Sequence, residues 1–273
     1  MLKTRIIPTL LWKNVGLVKG VGFDSWRRVS TLLPAIRVYN TRQVDELVLL
    51  DIMATKDKHR PDFEMVREIS GECFVPLAVG GGITSLEDIK DLLRAGADKV
   101  VINSYAFKNQ DLIREGAKLF GSQCIVVSID AKRTEKGKYL CYSNSGSRNE
   151  HIDVCEWAKK VEELGAGEII ITSIENDGTM KGYDIELIKI VTSAVSIPVI
   201  ASGGAGNYED MYKAIFKGKA QAVAAASIFH FTHQTPMEAK EYLAKKGIPV
   251  RINKVLLGGS VPNSKVVSEI FSK

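Results

Sequence analysis

The sequence predicts an α/β fold, a single (β/α)8 barrel of the TIM type made of two fused half-barrel repeats. Two observations carry this prediction. Eight short apolar runs alternate with amphipathic stretches, which indicates parallel strands joined by helical crossovers. The chain also repeats itself at a fixed offset, so that its first four units resemble its last four. The length of 273 residues suits one barrel of this kind.

The runs are three to five residues long and almost wholly apolar, as strands buried on both faces should be. Amphipathic periodicity fills the intervals between them. Strands are predicted at residues 6–10, 47–50, 75–79, 100–102, 125–129, 169–171, 198–201 and 222–225, and helices at residues 65–69, 86–93, 112–120, 154–164, 185–191, 211–216 and 239–243. We expect residues 1–253 to form the barrel and residues 254–273 to form a C-terminal tail, for which the sequence suggests no role.

The internal repeat is clearest at two glycine pairs. Gly81-Gly82 follows the third run and Gly203-Gly204 follows the seventh, 122 residues later. The same offset pairs Glu46 with Glu168. Several units in register at one offset indicate two half-barrels of four strand–helix units each.

Charge and composition narrow the class of protein. The formal net charge is +5, and the basic residues are spread along the chain without a block of like charges. This distribution is typical of a mildly basic surface, so no nucleic-acid partner is expected, while an anionic substrate would fit. No apolar run approaches the roughly 20 residues of a membrane helix, and the N-terminus lacks the apolar region of a signal peptide. We therefore expect no membrane contact and a cytoplasmic location.

Metal and cofactor chemistry is not indicated. The four cysteines form no C-x-x-C pair, and the four histidines show no zinc spacing with cysteine or carboxylate partners. The cysteines are expected to be reduced thiols in or beside the core. We expect neither a metal nor a cofactor.

The two glycine turns predict phosphate binding. Glycine lets the backbone approach a phosphate closely, and a helix N-terminus adds N–H donors and a positive dipole. A single Gly-Gly turn could be only a tight turn, but two in register after the third and seventh strands favour a substrate with a phosphate at each end. The candidate phosphate-binding residues are Gly81, Gly82, Asn103, Ser104, Gly178, Gly203, Gly204, Ala226 and Ser227.

Polar residues just after the strands of such a barrel line the active site. Asp51, Asp130 and Asp177 lie at these positions, and Lys19 lies on the expected first strand–helix loop. The carboxylates could transfer protons, and Lys19 could hold phosphate or close as a lid. Helix capping or a loop salt bridge remains the alternative for each aspartate.

Four charged residues lie at the opposite, N-terminal ends of the strands. Arg5, Glu46, Lys99 and Glu168 precede or begin the first, second, fourth and sixth strands. Two acids and two bases there predict a ring at the bottom of the barrel. The ring could be a structural plug or a gate for a small neutral solute, and both interpretations stay open.

Eight segments spread over the chain together resemble one known family, the cyclase subunit of imidazole glycerol phosphate synthase. The resemblance runs from Met1 to about Asn253, in order and nearly without gaps. The segments are residues 5–8, 18–20, 45–52, 79–83, 96–100, 129–133, 172–179 and 201–206.

The resemblance implies a two-part glutamine amidotransferase. A separate glutaminase subunit would dock on the N-terminal barrel face, near Asp98. Its ammonia would pass a gate that matches Arg5, Glu46, Lys99 and Glu168 and then travel along the barrel. The family's substrate is a bisphosphorylated ribulosyl aminoimidazole nucleotide, which agrees with two phosphate sites.

One position departs from the family pattern. The family uses two catalytic aspartates, at the ends of the first and fifth strands. The second is present as Asp130, but Leu11 stands at the first position. The internal repeat also aligns Leu11-Trp12-Lys13 with Asp130-Ala131-Lys132, here at a distance of 119 residues. Leucine transfers no proton, and losing a positioned acid–base group costs about 10²–10⁴ in rate.

Three hypotheses follow from this departure. We favour a paralogue that delivers glutamine-derived ammonia for acetamidino formation on a bacterial surface sugar, together with a glutaminase and an ATP-dependent sugar-amidating enzyme. The second hypothesis is the histidine-pathway cyclase, with Asp51 or Asp177 replacing the missing acid. The third is a non-catalytic ammonia conduit or scaffold.

Overall fold

Eight parallel strands close into a barrel, as predicted. The computed structural model describes residues 3–14 and 16–252. Around the barrel each strand pairs with the following barrel strand of the chain, and the last pairs with the first. In that order they are β1 (Arg5–Lys13), β4 (Leu47–Asp51), β5 (Leu77–Gly80), β6 (Lys99–Ile102), β7 (Ile125–Arg133), β10 (Glu168–Ser173), β11 (Val199–Ser202) and β12 (Ala222–Ala225).

Helices follow the strands and cover the outside of the barrel with their apolar faces. They are α1 (Leu32–Thr41), α2 (Ala54–Asp57), α3 (Phe63–Ser70), α4 (Leu86–Arg94), α5 (Asp111–Phe120), α6 (Val154–Glu163), α7 (Ile185–Ala194), α8 (Tyr208–Phe216), α9 (Ser227–Phe231) and α10 (Pro236–Lys245). Each predicted helix is present, while α1, α2 and α9 were not predicted.

Each half also carries an antiparallel hairpin that the apolar pattern did not reveal. β1 continues beyond the barrel and pairs with β2 (Gly16–Val21), which pairs with β3 (Asp24–Ser30). In the second half β7 pairs in the same way with β8 (Tyr139–Ser143), and β8 with β9 (Arg148–Asp153). Both hairpins rise at the C-terminal ends of the barrel strands, so they border the mouth of the barrel.

The repeat is visible in the details of local structure. α4 and α8 both begin with a capping box, formed by Ser85 with Asp88 and by Asn207 with Asp210, so equivalent partners lie 122 residues apart. Such a box satisfies two backbone N–H groups at the start of a helix. The glycine pairs before these helices all have positive φ, between 74° and 111°. The two halves thus share turn and cap geometry as well as strand order.

The inside of the barrel is filled by one apolar cluster. Because side chains alternate along a strand, residues two apart face the same way. Ile7, Val48, Val101 and Ile170 of this cluster each lie two residues after one of the four charged residues at the N-terminal end. The other buried members are Ala78, Val126, Ile200, Ala222 and Ala224. The cluster therefore separates the charged end of the barrel from its mouth.

The tail at residues 254–273 lies outside the described residues, so the division into a barrel and a tail stays a prediction. Within residues 3–14 and 16–252, no helix has both the length and the apolar character needed to cross a membrane.

Candidate functional site

One cavity of about 350 Å³ opens at the C-terminal ends of the barrel strands. It brings together the residues that were predicted for catalysis and for phosphate binding. The lining includes Leu11, Lys19, Asp51, Gly81, Gly82, Asn103, Ser104, Asp130, Asp177, Gly178, Gly203, Gly204, Ala226 and Ser227. Val48, Val101 and Ile170 from the interior cluster also line it, so the cavity reaches down to that apolar layer.

Asp130 is a cavity carboxyl group whose pKa is raised by its surroundings. Burial raises its pKa to about 7, and the nearby Asp177 carboxylate also raises it, although a hydrogen bond from Asn103 opposes the shift. Asn103 Nδ2 donates to Asp130 Oδ2 over 2.7 Å. A carboxyl group with a pKa near 7 can both donate and accept a proton at neutral pH, as a general acid–base catalyst must.

Leu11 occupies the corresponding place in the first half. It lies six residues after Arg5 on β1 and lines the cavity, with only 9% of its surface exposed. Thr9, two residues earlier, also lines the cavity, as strand alternation requires. The acid expected at this position is therefore replaced by a buried aliphatic side chain that faces the same cavity as Asp130.

Lys19 does not lie on a loop, and this corrects the sequence prediction. It lies in β2 and is 3% exposed, because the chain after the first barrel strand forms the hairpin. Lys19 Nζ lies 2.5 Å from Asp177 Oδ2. The ion pair links the hairpin to the loop after β10. Within it, the charges of Lys19 and Asp177 compensate each other. The salt bridge considered for Asp177 is present in the structure, and the roles of Lys19 as a phosphate ligand or a lid stay predictions.

Asp51 has a capping role through one of its oxygens. Oδ1 accepts hydrogen bonds from the backbone N–H groups of Met53 and Ala54, over 2.9 and 3.0 Å, at the start of α2. Oδ2 lies 3.8 Å from His59 Nε2. The capping alternative holds for this residue, although its side chain still lines the cavity.

The glycine turns have little space above them. At Gly82 an added Cβ would lie 2.6 Å from the carbonyl oxygen of His59, and at Gly204 it would lie 2.2 Å from that of Gly182. Each turn has positive φ and is overlain by backbone, so any larger residue would be strained. The close packing against the protein's own backbone accounts for glycine at these positions, and both pairs also line the cavity.

The side chains beside the glycine turns differ in which of their hydrogen-bonding groups are unpaired. Asn103 Nδ2 points to Asp130, and Ser104 Oγ accepts the N–H of Asn144 over 2.9 Å. Ser227 Oγ is buried and has no hydrogen-bond partner within the described part of the chain. Among the residues that the structure describes, Ser227 has its whole hydroxyl unpartnered, Ser104 accepts but does not donate in its hydrogen bond with Asn144, and Asn103 Oδ1 is also buried without a partner.

Several cavity residues were missed from the sequence. They are the basic residues Lys58, His59, Arg60 and Lys108 and the aromatic residues Phe23 and Trp26. They lie beyond the strand ends, on loops and on the first hairpin, where strand-end reasoning does not reach. The run Lys58-His59-Arg60 after the second strand was the available signal. No cluster of histidine, cysteine or acidic residues placed to hold a metal ion occurs in residues 3–14 and 16–252.

The four charged residues at the other end of the barrel form a closed ring. Arg5 lies 2.6 Å from Glu46 and 2.8 Å from Glu168, and Lys99 lies 3.0 and 2.9 Å from the same two glutamates. Burial lowers the pKa of Arg5, but the two carboxylates more than offset this, so its pKa is raised. The predicted ring exists, and its side chains are largely withdrawn from water.

Asp98 lies exposed beside this ring, immediately before Lys99. Its Oδ2 accepts the backbone N–H of Leu77 over 2.8 Å, which fixes the side chain at the rim of the N-terminal face. The position agrees with the expected surface, while contact with a partner stays a prediction.

Comparisons with known proteins identify the family of the chain. The family described as "Histidine biosynthesis protein" matches residues 5–235. The imidazole glycerol phosphate synthase subunit HisF of Dehalococcoides mccartyi is 50% identical over 252 residues, 92% of this chain and 99% of the relative. HisF of Chlorobaculum tepidum is 47% identical and HisF of Chlorobaculum parvum 48%, each over 92% of this chain and 100% of the relative. The chain therefore belongs to the histidine biosynthesis protein family that includes the HisF subunits.

Proposed function

We propose that the protein is the ammonia-accepting subunit of a two-part glutamine amidotransferase and performs the cyclase reaction of imidazole glycerol phosphate synthase. The observation that carries this proposal is Asp130, a buried carboxyl group with a pKa of about 7 in a cavity between two glycine turns. The substrate would be the bisphosphorylated ribulosyl aminoimidazole nucleotide. The relatives' shared name supports this candidate, the second of the three hypotheses drawn from the sequence, over the surface-sugar hypothesis.

Binding would use the two glycine turns. Backbone N–H groups at Gly81-Gly82 and Gly203-Gly204 would hold the phosphates, and the free hydroxyl of Ser227 would add a donor at the second turn. A substrate held at both ends lies across the mouth, over Asp130. Such positioning supplies a large part of the rate enhancement in many enzymes.

Proton transfer would rest on Asp130. In its protonated form it can donate to a leaving group, and in its ionised form it can remove a proton, because its pKa lies near neutral pH. Asp177 and Asp51 are poor substitutes for an acid at position 11, since the first is paired with Lys19 and the second caps α2. We therefore expect a slower enzyme that works with one acid–base group.

Ammonia would enter through the ring of Arg5, Glu46, Lys99 and Glu168. The ring offers charged groups on its outer side, and the layer behind it is aliphatic. An aliphatic layer disfavours the ammonium ion but lets neutral ammonia pass, because an unpaired charge there would lose its hydration. A glutaminase subunit docked over the ring, beside Asp98, would deliver ammonia at this point.

A genetic experiment tests this candidate. We expect the gene to restore growth without histidine to a strain that lacks its cyclase subunit and keeps its glutaminase subunit. The Asp130→Asn variant, which keeps the size of the side chain, should fail to do so. Growth with both forms would contradict the role of Asp130, and growth with neither would contradict the candidate.

A second candidate is favoured by Leu11. An aliphatic residue in the place of a catalytic acid fits a paralogue that hands ammonia to another reaction, such as acetamidino formation on a surface sugar by an ATP-dependent enzyme. To test it, the gene would be deleted and the cells fed glutamine labelled with ¹⁵N at the amide. Loss of label from surface sugars in a strain that still grows without histidine supports this candidate, and unchanged labelling contradicts it.

A further inference from the structure

The two glycine turns of the cavity are related by the internal repeat but differ in charge. We call Gly81-Gly82 with Asn103-Ser104 the first cradle, and Gly203-Gly204 with Ala226-Ser227 the second cradle. The turn bond from the N–H of Ala106 to the carbonyl of Asn103 recurs between Phe229 and Ala226, 123 residues later. The backbones of the two cradles therefore correspond.

The first cradle is surrounded by basic side chains. Helix α2 and the turn after it, residues 54–60, lie over Gly82 and bring Lys58, His59 and Arg60 to the cavity, and Lys108 joins them from the loop after β6. Arg60 is paired with Asp88 over 2.7 Å. Lys58 and Lys108 make no ion pair with any residue in the described ranges, so their charges are available to a ligand.

The second cradle has no comparable set of charges. The loop at residues 176–182 lies over Gly204, where Asn176 makes the contact that Ala54 makes over Gly82. Of this loop, only Asp177 and Gly178 line the cavity in the described structure. At the repeat offsets, Met180 replaces Lys58 and Phe231 replaces Lys108.

Among the described residues that line the cavity, Lys19 is the basic side chain beside the second cradle, and its charge is neutralised; Arg27 lies nearby but stacks on Phe231 and does not line the cavity. Lys19 lines the cavity but pairs with Asp177 over 2.5 Å, so the pair presents almost no net charge. What remains for a ligand is hydrogen bonding, from backbone N–H groups and from the unpartnered hydroxyl of Ser227. The two cradles thus offer the same backbone shape with different electrostatics.

We infer that the first cradle is a charge-selective subsite for a phosphate dianion and that the second cradle recognises phosphate by hydrogen bonds alone. The two ends of the substrate are then held with different strength, and the phosphate in the first cradle is bound more tightly. A ligand with a single phosphate occupies the first cradle. This inference rests on the proposed function only in taking a phosphorylated small molecule as the substrate class.

Inorganic phosphate is the probe, and backbone amide resonances of the whole protein are the measurement. The amides of Gly82 and Ser104 report the first cradle, and those of Gly204 and Ser227 report the second. We expect the first pair to shift at phosphate concentrations about tenfold lower than the second. Raising the salt concentration should weaken phosphate binding in the first cradle and leave the second nearly unchanged, because salt screens charge.

The matched variant exchanges residues between the halves. Lys58→Met with Lys108→Phe gives the first cradle the side chains of the second and should weaken its phosphate binding about tenfold. Lys181→Met is the control, since Lys181 is exposed on the corresponding loop and does not line the cavity. Equal filling of both cradles, earlier filling of the second, binding at neither, or a double variant that behaves like wild type would each overturn the inference. The experiment measures phosphate binding and not turnover. Its outcome can therefore be interpreted even if the protein does not catalyse the proposed cyclase reaction.

Discussion

Leu11 and Asp130 occupy equivalent places in the two halves of the barrel. Each is the residue at which its strand first pairs with the hairpin that rises above the mouth, Leu11 opposite Val18 and Asp130 opposite Tyr142. Both side chains line the same cavity. The fold thus provides two symmetric positions that face the cavity, and this chain has a carboxyl group at one and an aliphatic side chain at the other.

The raised pKa of Asp130 makes the stability of the protein depend on pH. The folded state holds its proton up to about pH 7, whereas the unfolded chain releases it near 3.8. Stability from this group is therefore complete below pH 4 and is lost as the pH rises through 7. Asp130→Asn should raise the free energy of unfolding at pH 8 by roughly 3–5 kcal/mol and leave it unchanged at about pH 4.

Urea unfolding at the two pH values measures this difference. Asp24→Asn is the control, because Asp24 is exposed on the first hairpin and should show no such change. A variant at position 130 that is no more stable than wild type at the higher pH would mean that the carboxyl group is ionised without cost.

The buried pair of Lys19 and Asp177 predicts a coupled effect. Lys19→Met would leave the carboxylate of Asp177 buried without its cation, which should cost about 3–5 kcal/mol of stability. Adding Asp177→Asn removes the unpaired charge, so the double variant should be more stable than Lys19→Met alone. Additive losses in the double-mutant cycle would show that the two side chains do not interact in solution.

If the ring at the N-terminal end is a gate, a change in it should affect turnover with glutamine more than turnover with an ammonium salt. Glu46 is 2% exposed and contacts both Arg5 and Lys99. Glu46→Gln should destabilise the protein, because two cations then share Glu168 alone. It should also reduce turnover with glutamine more than turnover with an ammonium salt, since ammonia from solution can enter at the mouth.

A matched surface variant controls for this change. Glu64→Gln removes an exposed carboxylate that pairs with Arg67 and should leave both activities and the stability unchanged. If Glu46→Gln lowers the two activities equally, the ring is a structural plug rather than a gate.

Substitutions at two glycines with positive φ distinguish the cost of backbone strain from the cost of a steric clash. Gly204 has a φ of +111°, and an added Cβ would lie 2.2 Å from the carbonyl oxygen of Gly182. Gly247 has a φ of +81° with nothing within 4 Å. Gly247→Ala should cost about 1 kcal/mol from the backbone alone. Gly204→Ala should cost clearly more and weaken phosphate binding, and equal losses in a thermal melt would refute the close approach.

Much of this arrangement could be predicted because it depends on periodicity. The barrel strands are short apolar runs, and residues such as Glu46 and Asp130 stand at fixed distances from them, so their ends of the barrel follow from the sequence. The hairpins could not be predicted this way, since β3 (Asp24–Ser30) is mostly exposed and has no apolar face to reveal it.

Because only elements with an apolar pattern could be predicted, several residues of the cavity were assigned wrongly or missed. Lys19 lies in a strand of the hairpin, which the apolar pattern does not predict, and its partner Asp177 lies 158 residues away. Lys58 and Lys108 lie on loops whose path over the cavity depends on tertiary packing. Side chains at strand ends could be assigned to the cavity from the sequence. Side chains on the hairpins and on the loops over the cavity could not.

The most direct test compares turnover of the bisphosphorylated aminoimidazole nucleotide with an ammonium salt by wild type and by Leu11→Asp. Ammonium removes the need for a glutaminase. We expect slow but measurable turnover by wild type that is abolished in Asp130→Asn, and a gain of about 10²–10⁴ when the second acid is restored. Turnover by Leu11→Asp alone, with none by wild type, would contradict the cyclase assignment and favour a barrel that delivers ammonia to another reaction.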